Sequence, residues 1–273
     1  MKTQYGFTEF ESFDEFKNWL NKQQVKRSVT KLQVHHMAAP SYANWSTDIA
    51  LRRQNNIKHF HMNTNGFSDI GQHFSIFPDG HIVTGRSLEK DPAGITGFNT
   101  NAICCEIYGN FDKGVDTMNA VQKETVIAFY GLLCEKFKIT PSSSTIRYHA
   151  WFDAKGNYLG DYVKGKSTKT CPGTNFFGGN TMVAFKNNFL PEIQKYLKGV
   201  STSGNSQPVD YMVKVTTDIL NVRSGAGTNY KKVGCVRKGE IFTIVEVKND
   251  WGKLKSGAGW ISLKYTEKYV KSN

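Results

Sequence analysis

The sequence predicts an α/β protein, with a mixed central β-sheet flanked by helices, followed by a small all-β barrel. Three observations predict it. Strand-like and helix-like apolar periods alternate through residues 1–198, the pattern of a sheet covered by helices. Residues 199–209, GVSTSGNSQPV, hold little that could be buried and read as a flexible linker. From 210 to 273, short alternating runs at VKVTTDILNV, KVGCV, EIFTIVEVK, WGKLKS and GAGWISLKY are separated by Gly-, Asn- and Lys-bearing turns, the spacing of a small barrel.

The elements of the first domain follow in order. Ser12 to Lys26 repeats apolar side chains at Phe13, Phe16, Trp19 and Leu20, a helix with one buried face that Ser12 is placed to cap. LQVHH reads as a short buried strand and Ile49 to Met62 as a second helix. GQHFSIFPDGHIVTG has two alternating runs around Pro78-Asp79-Gly80, the form of a hairpin. NAICCEIYG is a further strand. Asn119 to Phe137 reads as a long helix with Val121, Val126, Phe129 and Leu133 inward, and Met182 to Leu197 as another.

The 273 residues suffice for one full core plus a small domain. No apolar run approaches the roughly 20 residues that span a bilayer, so membrane insertion is not expected. The amino terminus, MKTQYGFTEFESFDEFKNW, is polar and acidic where a secretory signal needs an uninterrupted apolar run. Five cysteines, Cys104, Cys105, Cys134, Cys171 and Cys235, form an odd set without framework spacing, which points to maturation in a reducing compartment. Cys104 and Cys105 leave opposite faces of a strand, so at least one is a small core residue.

A net charge of +12 and a pI near 9.4 imply an anionic partner. No nucleic-acid motif is present, so nucleic acid is not the expected one. Residues 210–273 hold 12 Lys and Arg against 6 Asp and Glu. That surplus suits a domain kept on a polyanionic surface. Nothing in the sequence marks an obligate protein partner.

The segment Lys166–Asn180, KSTKTCPGTNFFGGN, sets Cys171 two residues after Lys169 and against a Pro-Gly turn. A thiolate there is a strong soft metal ligand. Upstream, LQVHHM ends an apolar run on His35 and His36, and IRYHAW places His149 similarly. Two imidazoles and one thiolate leave a fourth tetrahedral position open, the arrangement of a catalytic zinc. Seven histidines are present, and spacing alone does not choose among them.

The ordered phrases VHH, DIGQHF, PDG, GR, CCEIYGN, YHAW and KTCPG resemble the zinc-dependent N-acetylmuramoyl-L-alanine amidases of the type-2 family, relatives of phage lysozyme-type amidases and of animal peptidoglycan recognition proteins. The resemblance covers roughly residues 1–198. It implies Zn2+ held by His35, the first histidine of the pair, by His149 of YHAW and by Cys171 of KTCPG. Over residues 211–270, LNVRSGAGTNYKKVG, KGE and WGKLKSGAGWISLKY resemble the bacterial SH3-type domain, which implies a cell-wall anchor at 210–273.

Two further residues carry chemistry on this reading. In ICCEIYG, alternation puts Cys104, Glu106 and Tyr108 on one face. A carboxylate in an apolar strand is costly unless paired or used, and Glu106 matches a glutamate that lies beside the metal-activated water in related amidases. Lys169 leaves an extended segment on the same side as Cys171, and its match in relatives stabilises the oxyanion. Gln72 is a departure: many relatives carry tyrosine there, and an amide can donate but cannot act as a base. His73 beside it reads as a core or supporting residue. Trp251, Trp260, Tyr230 and Tyr265 serve either as barrel core or as a glycan- or peptide-binding face.

The resemblance implies hydrolysis of the amide between N-acetylmuramic acid and L-alanine, with bacterial peptidoglycan and possible anionic wall polymers as partners. Missing export signals beside a wall-degrading domain suggest a phage or prophage endolysin, held in the host cytoplasm until a membrane pore releases it to the wall; an exported autolysin is the alternative. A peptidoglycan-binding protein without activity is the rival from another class, and a metallopeptidase cutting within the stem peptide is a second enzymatic one.

Overall fold

A computed structural model of the chain describes residues 1–46, 49–202, 211–228, 230–248 and 251–269. It divides into two compact units, residues 1–199 and 200–273.

The first unit is built on seven strands: β1 (Lys2–Gln4), β2 (Phe7–Phe10), β3 (Lys31–His36), β4 (Phe74–Ile76), β5 (Ile82–Thr84), β6 (Ala102–Ile107) and β7 (Ile146–Tyr148). Their order in the sheet is β1-β2-β5-β4-β6-β3-β7. β4, β6, β3 and β7 run parallel, while β1, β2 and β5 form the antiparallel side. The sheet is therefore mixed, as the sequence predicts. Its parallel strands are nearly continuous in buried residues, five of six in β3, because such strands are covered on both faces.

The helices are α1 (Phe13–Lys22), α2 (Ala50–Asn63), α3 (Ala120–Phe137), α4 (Met182–Ala184) and α5 (Leu190–Thr202). Ser12 caps α1 as expected, its Oγ accepting from the Glu15 amide at 3.2 Å. The helix ends at Lys22, four residues before the expected Lys26, because Gln23 turns extended (φ −71°, ψ 130°). Phe16, fully buried, stacks on Phe129 of α3 and meets Phe74 of β4 edge-on. Truncating such an aromatic to alanine costs about 3–5 kcal/mol. Asn119 caps α3, accepting from the Gln122 amide at 2.9 Å. Gln122 is itself buried and donates to the carbonyls of Ile76 and Tyr108, which ties the helix start to the ends of β4 and β6. Val126, Phe129 and Leu133 are buried and Val121 half-buried.

The expected helix from Met182 to Leu197 is longer and contains a π-helical turn at Phe185–Phe189 between α4 and α5. It runs on to Thr202, past the expected start of the linker at 199. The rest of that linker lies outside the described residues. The hairpin of β1 and β2 was not expected: its strands have three and four residues, and the turn places Tyr5 and Gly6 at φ 57° and 80°. Two consecutive positive φ values suit a two-residue hairpin turn, but Tyr-Gly is not the Asn-Gly that announces one.

The second unit has strands β8 (Tyr211–Val215), β9 (Ile219–Arg223), β10 (Lys232–Arg237), β11 (Ile241–Lys248), β12 (Trp251–Leu254), β13 (Trp260–Ser262) and β14 (Thr266–Tyr269). They are ordered β10-β9-β13-β12-β11-β8-β14, all antiparallel. The core is aliphatic: Val213, Val215, Leu220, Val222, Val236, Ile244, Leu254 and Ile261. Trp251, Trp260 and Tyr230 are half-buried and Tyr265 is exposed. None of these four rings is among the fully buried residues of this core.

Candidate active site and metal centre

The candidate ligands gather at the carboxyl ends of neighbouring parallel strands. His35 is the fifth residue of β3 and pairs in register with Glu106 of β6. His149 follows directly on β7, the other neighbour of β3. Side chains alternate along β3, so Gln33 and His35 share one face and His36 lies on the other. His36 is spent there: its Nδ1 accepts from the Phe111 amide at 3.1 Å.

Cys171 comes from a loop that several polar groups fix. The Ala150 amide donates to the Cys171 carbonyl at 2.7 Å. The Asp112 carboxylate accepts from the Thr170 hydroxyl and from the Thr174 amide, both at 2.9 Å, and Asn180 donates to the Thr170 carbonyl. Gly173 sits at φ 118°, and a Cβ there would lie 2.4 Å from the Phe111 carbonyl oxygen, so no other residue fits without displacing backbone.

His35 Nδ1 lies 3.3 Å from His149 Nδ1 and 3.5 Å from Cys171 Sγ. All three donor atoms are within 4.8 Å of one another. Zinc bound tetrahedrally at about 2.0 Å to nitrogen and about 2.3 Å to sulfur sets N···N near 3.3 Å and N···S near 3.5 Å. The two short edges of the cluster have these lengths, so the residues fit the metal that the sequence implies.

The electrostatics agree with that donor set. Burial, reinforced by His149 and Lys169, holds His35 well below the usual histidine range. Burial and then Lys169 lower His149 to about 4. Both imidazoles are neutral at pH 7, as ligands must be. Burial, and next Glu106, raise the Cys171 thiol, so a thiolate forms there only against a cation.

Glu106 Oε1 stands 3.8 Å from His35 Nδ1, and its side chain is one-fifth exposed. Burial raises it to about 8, opposed by Lys169. A cation held by the three ligands acts in the same sense as Lys169 and favours the carboxylate. Lys169 is exposed, and its charge reaches His35, His149, Cys171 and Glu106. His35, His149, Cys171 and Glu106 are thus brought together, with Lys169 within electrostatic reach of them.

Gln72 is buried in a chain of amides: its Nε2 donates to Ser75 Oγ, which donates to Gln54 Oε1, whose Nε2 donates to the Thr84 carbonyl. Ser75 pairs in register with Glu106, so this chain runs through the next strand of the sheet. His73 is a supporting residue. Its Nδ1 accepts from the Cys104 amide, and its Nε2 lies 2.9 Å from the Lys90 carbonyl.

Sequence reasoning missed Gln33 and Asp112. Gln33 is fully buried with its Oε1 3.3 Å from His35 Nε2. Its position two residues before His35 in an alternating strand was the available signal. Asp112 carried none, since its partners lie about 60 residues away in sequence.

The sequence model for N-acetylmuramoyl-L-alanine amidase matches residues 25–174, and that for the bacterial SH3 domain matches residues 218–267. Peptidoglycan-recognition protein 2 of Holotrichia diomphalia is 35% identical over 95 residues, covering 34% of this chain and 50% of that protein. Peptidoglycan-recognition protein SC2 of Drosophila melanogaster is 26% identical over 148 residues, covering 53% of this chain and 68% of its own. The chain thus spans half to two thirds of the length of these relatives. Among solved structures, N-acetylmuramoyl-L-alanine amidase LysC from Clostridium intestinale is similar at 25% identity and TM-score 0.40, covering 55% of this chain and 79% of that one.

Proposed function

The chain belongs to the N-acetylmuramoyl-L-alanine amidase family, and from that membership we propose that it is a zinc-dependent hydrolase of the amide between the lactyl group of N-acetylmuramic acid and L-alanine in peptidoglycan. The observation that carries the proposal is the His35, His149, Cys171 cluster with Glu106 at its edge. Recognition of the wall without cleavage needs neither a buried thiol among imidazoles nor a carboxylate beside them.

His35 and His149 would hold Zn2+ through Nδ1, and Cys171 through Sγ. The metal supplies Lewis-acid activation of water and of the scissile carbonyl. Glu106 takes the proton of the attacking water and delivers it to the leaving nitrogen, so that the departing L-alanine leaves as an amine. Lys169 places its charge toward the oxygen of the tetrahedral species. Gln72 has no basic lone pair and is committed to Ser75, so proton transfer falls to Glu106.

The second unit, which carries a bacterial SH3 domain, would keep the enzyme on the wall and raise its local concentration there. The physiological setting we propose is wall lysis by a phage or prophage endolysin, released from the host cytoplasm through a membrane pore. Digestion of purified walls tests the chemistry: new L-alanine amino termini with intact muramic acid support the amidase, new termini elsewhere in the stem indicate a peptidase, and no new termini indicate a binding protein.

A further inference from the structure

We infer that Gln33 is a positioning residue that decides which nitrogen of His35 faces the metal cluster. The inference rests on the three-ligand reading of the site and follows from hydrogen-bond directions alone. It begins at two backbone amides, whose protons cannot be reassigned. Gly94 N–H and Ile95 N–H both donate to one side-chain oxygen of Asn99, each at 3.0 Å. The atom receiving them is therefore Oδ1.

The same Oδ1 lies 3.0 Å from the Gln33 amide, which must meet it with Nε2. Gln33 Nε2 also donates to the Phe98 carbonyl at 3.1 Å. Two acceptors on one side leave Gln33 Oε1 on the other, where it accepts from Ile95 N–H at 3.2 Å and faces His35 Nε2 at 3.3 Å. An amide oxygen only accepts. His35 Nε2 therefore carries the proton, and His35 Nδ1 carries the lone pair.

Nδ1 is the nitrogen that lies 3.3 Å from His149 and 3.5 Å from Cys171. The loop carrying Gly94 is packed as tightly as glycine allows: a Cβ there would fall 2.1 Å from Gln33 Oε1 and 3.1 Å from His35 Nε2. A flipped Gln33 amide would set its oxygen against the Asn99 Oδ1 and Phe98 carbonyl acceptors and its nitrogen against Ile95 N–H, so these bonds fix its orientation. A metal-binding imidazole whose other nitrogen donates to a fixed acceptor is held in one tautomer and orientation; here a neutral amide is that acceptor.

The test reads the tautomer and the metal separately from turnover. In the zinc-free parent at pH 7.5, long-range 1H–15N correlation of the imidazoles should show His35 protonated at Nε2; protonation at Nδ1 overturns the inference without any variant. Gln33→Met, of similar volume but unable to accept, should mix the tautomers and weaken zinc binding about 10- to 100-fold in chelator competition. Asn99→Leu should do the same, while Asn99→Asp, which keeps the acceptor, should stay within about threefold of the parent. Unchanged tautomer and zinc affinity in Gln33→Met would also overturn it. A parent that bound no zinc at all would instead sink the metal reading on which the inference rests.

Discussion

His35 and Glu106 stand side by side on neighbouring parallel strands, paired in register, with Nδ1 and Oε1 3.8 Å apart. On the proposed mechanism one strand presents the metal ligand and the next presents the base, at a separation fixed by the sheet. Parallel pairing of identical direction keeps both side chains on one face.

The first prediction separates these two roles. Glu106→Gln keeps the shape and hydrogen-bonding capacity of the side chain but accepts no proton at neutral pH. Bound zinc should stay at the parent level while turnover on muropeptides falls by about 100-fold or more. A rate within a few-fold of the parent at saturating substrate would assign proton transfer to another group.

Lys169→Met should retain both zinc and Glu106 and lose transition-state charge stabilisation, a loss of about 3 kcal/mol or roughly 100-fold in kcat with KM little changed. A change confined to KM would make Lys169 a substrate anchor.

Acid should destabilise the zinc-free protein. Burial holds His36 and His149 at about 4 and His73 at about 3, with His35 also well below its usual value. Their folded values lie below the unfolded 6.5, so between about pH 6.5 and 4 the unfolded chain binds protons that the folded one does not. The histidine contribution is full above that window and falls as pH drops through it, by up to about 1.4 kcal/mol per pH unit for each histidine. Glu106, raised to about 8, acts in the opposite sense and offsets one of the four. The Tm of chelator-treated protein should fall steadily from pH 7 to 5; a flat or rising profile would contradict buried neutral imidazoles.

The two units should divide the work. A fragment of residues 1–202 contains every proposed catalytic residue and should keep its rate on soluble muropeptides while losing much of its lysis of intact cells. A fragment from 203 onward, bearing most of the basic surplus of the carboxyl-terminal region, should bind walls at low ionic strength and release them as salt rises. Absence of binding at low salt would remove the anchoring role.

Much of this was legible in the sequence because the strands alternate strictly. LQVHH and ICCEIYG each state which side chains share a face, and Ser12 and Asn119 announce the helices that they cap. The cluster itself was not derivable from spacing: His35, His149 and Cys171 meet only because β3 and β7 are neighbours and because Asp112, Asn180 and Ala150 fix the cysteine loop. That His35 and not His36 faces the cluster depends on which face of β3 the loop covers, which is a tertiary fact. The β1–β2 hairpin escaped notice because its strands are too short for a period to develop. Between core and binding face the sequence could not choose for the aromatic residues of the second unit, because its fully buried positions are taken by aliphatic side chains and most of the rings are only half-buried.

The most direct test of the central claim is zinc content measured together with turnover in the parent and in Cys171→Ser. A neutral hydroxyl is a far poorer zinc ligand than a thiolate. The parent should hold about one zinc per chain and release L-alanine amino termini from muropeptides, and Cys171→Ser should lose both. Full turnover in Cys171→Ser, or in parent stripped of metal by a chelator, would contradict the metallo-amidase account.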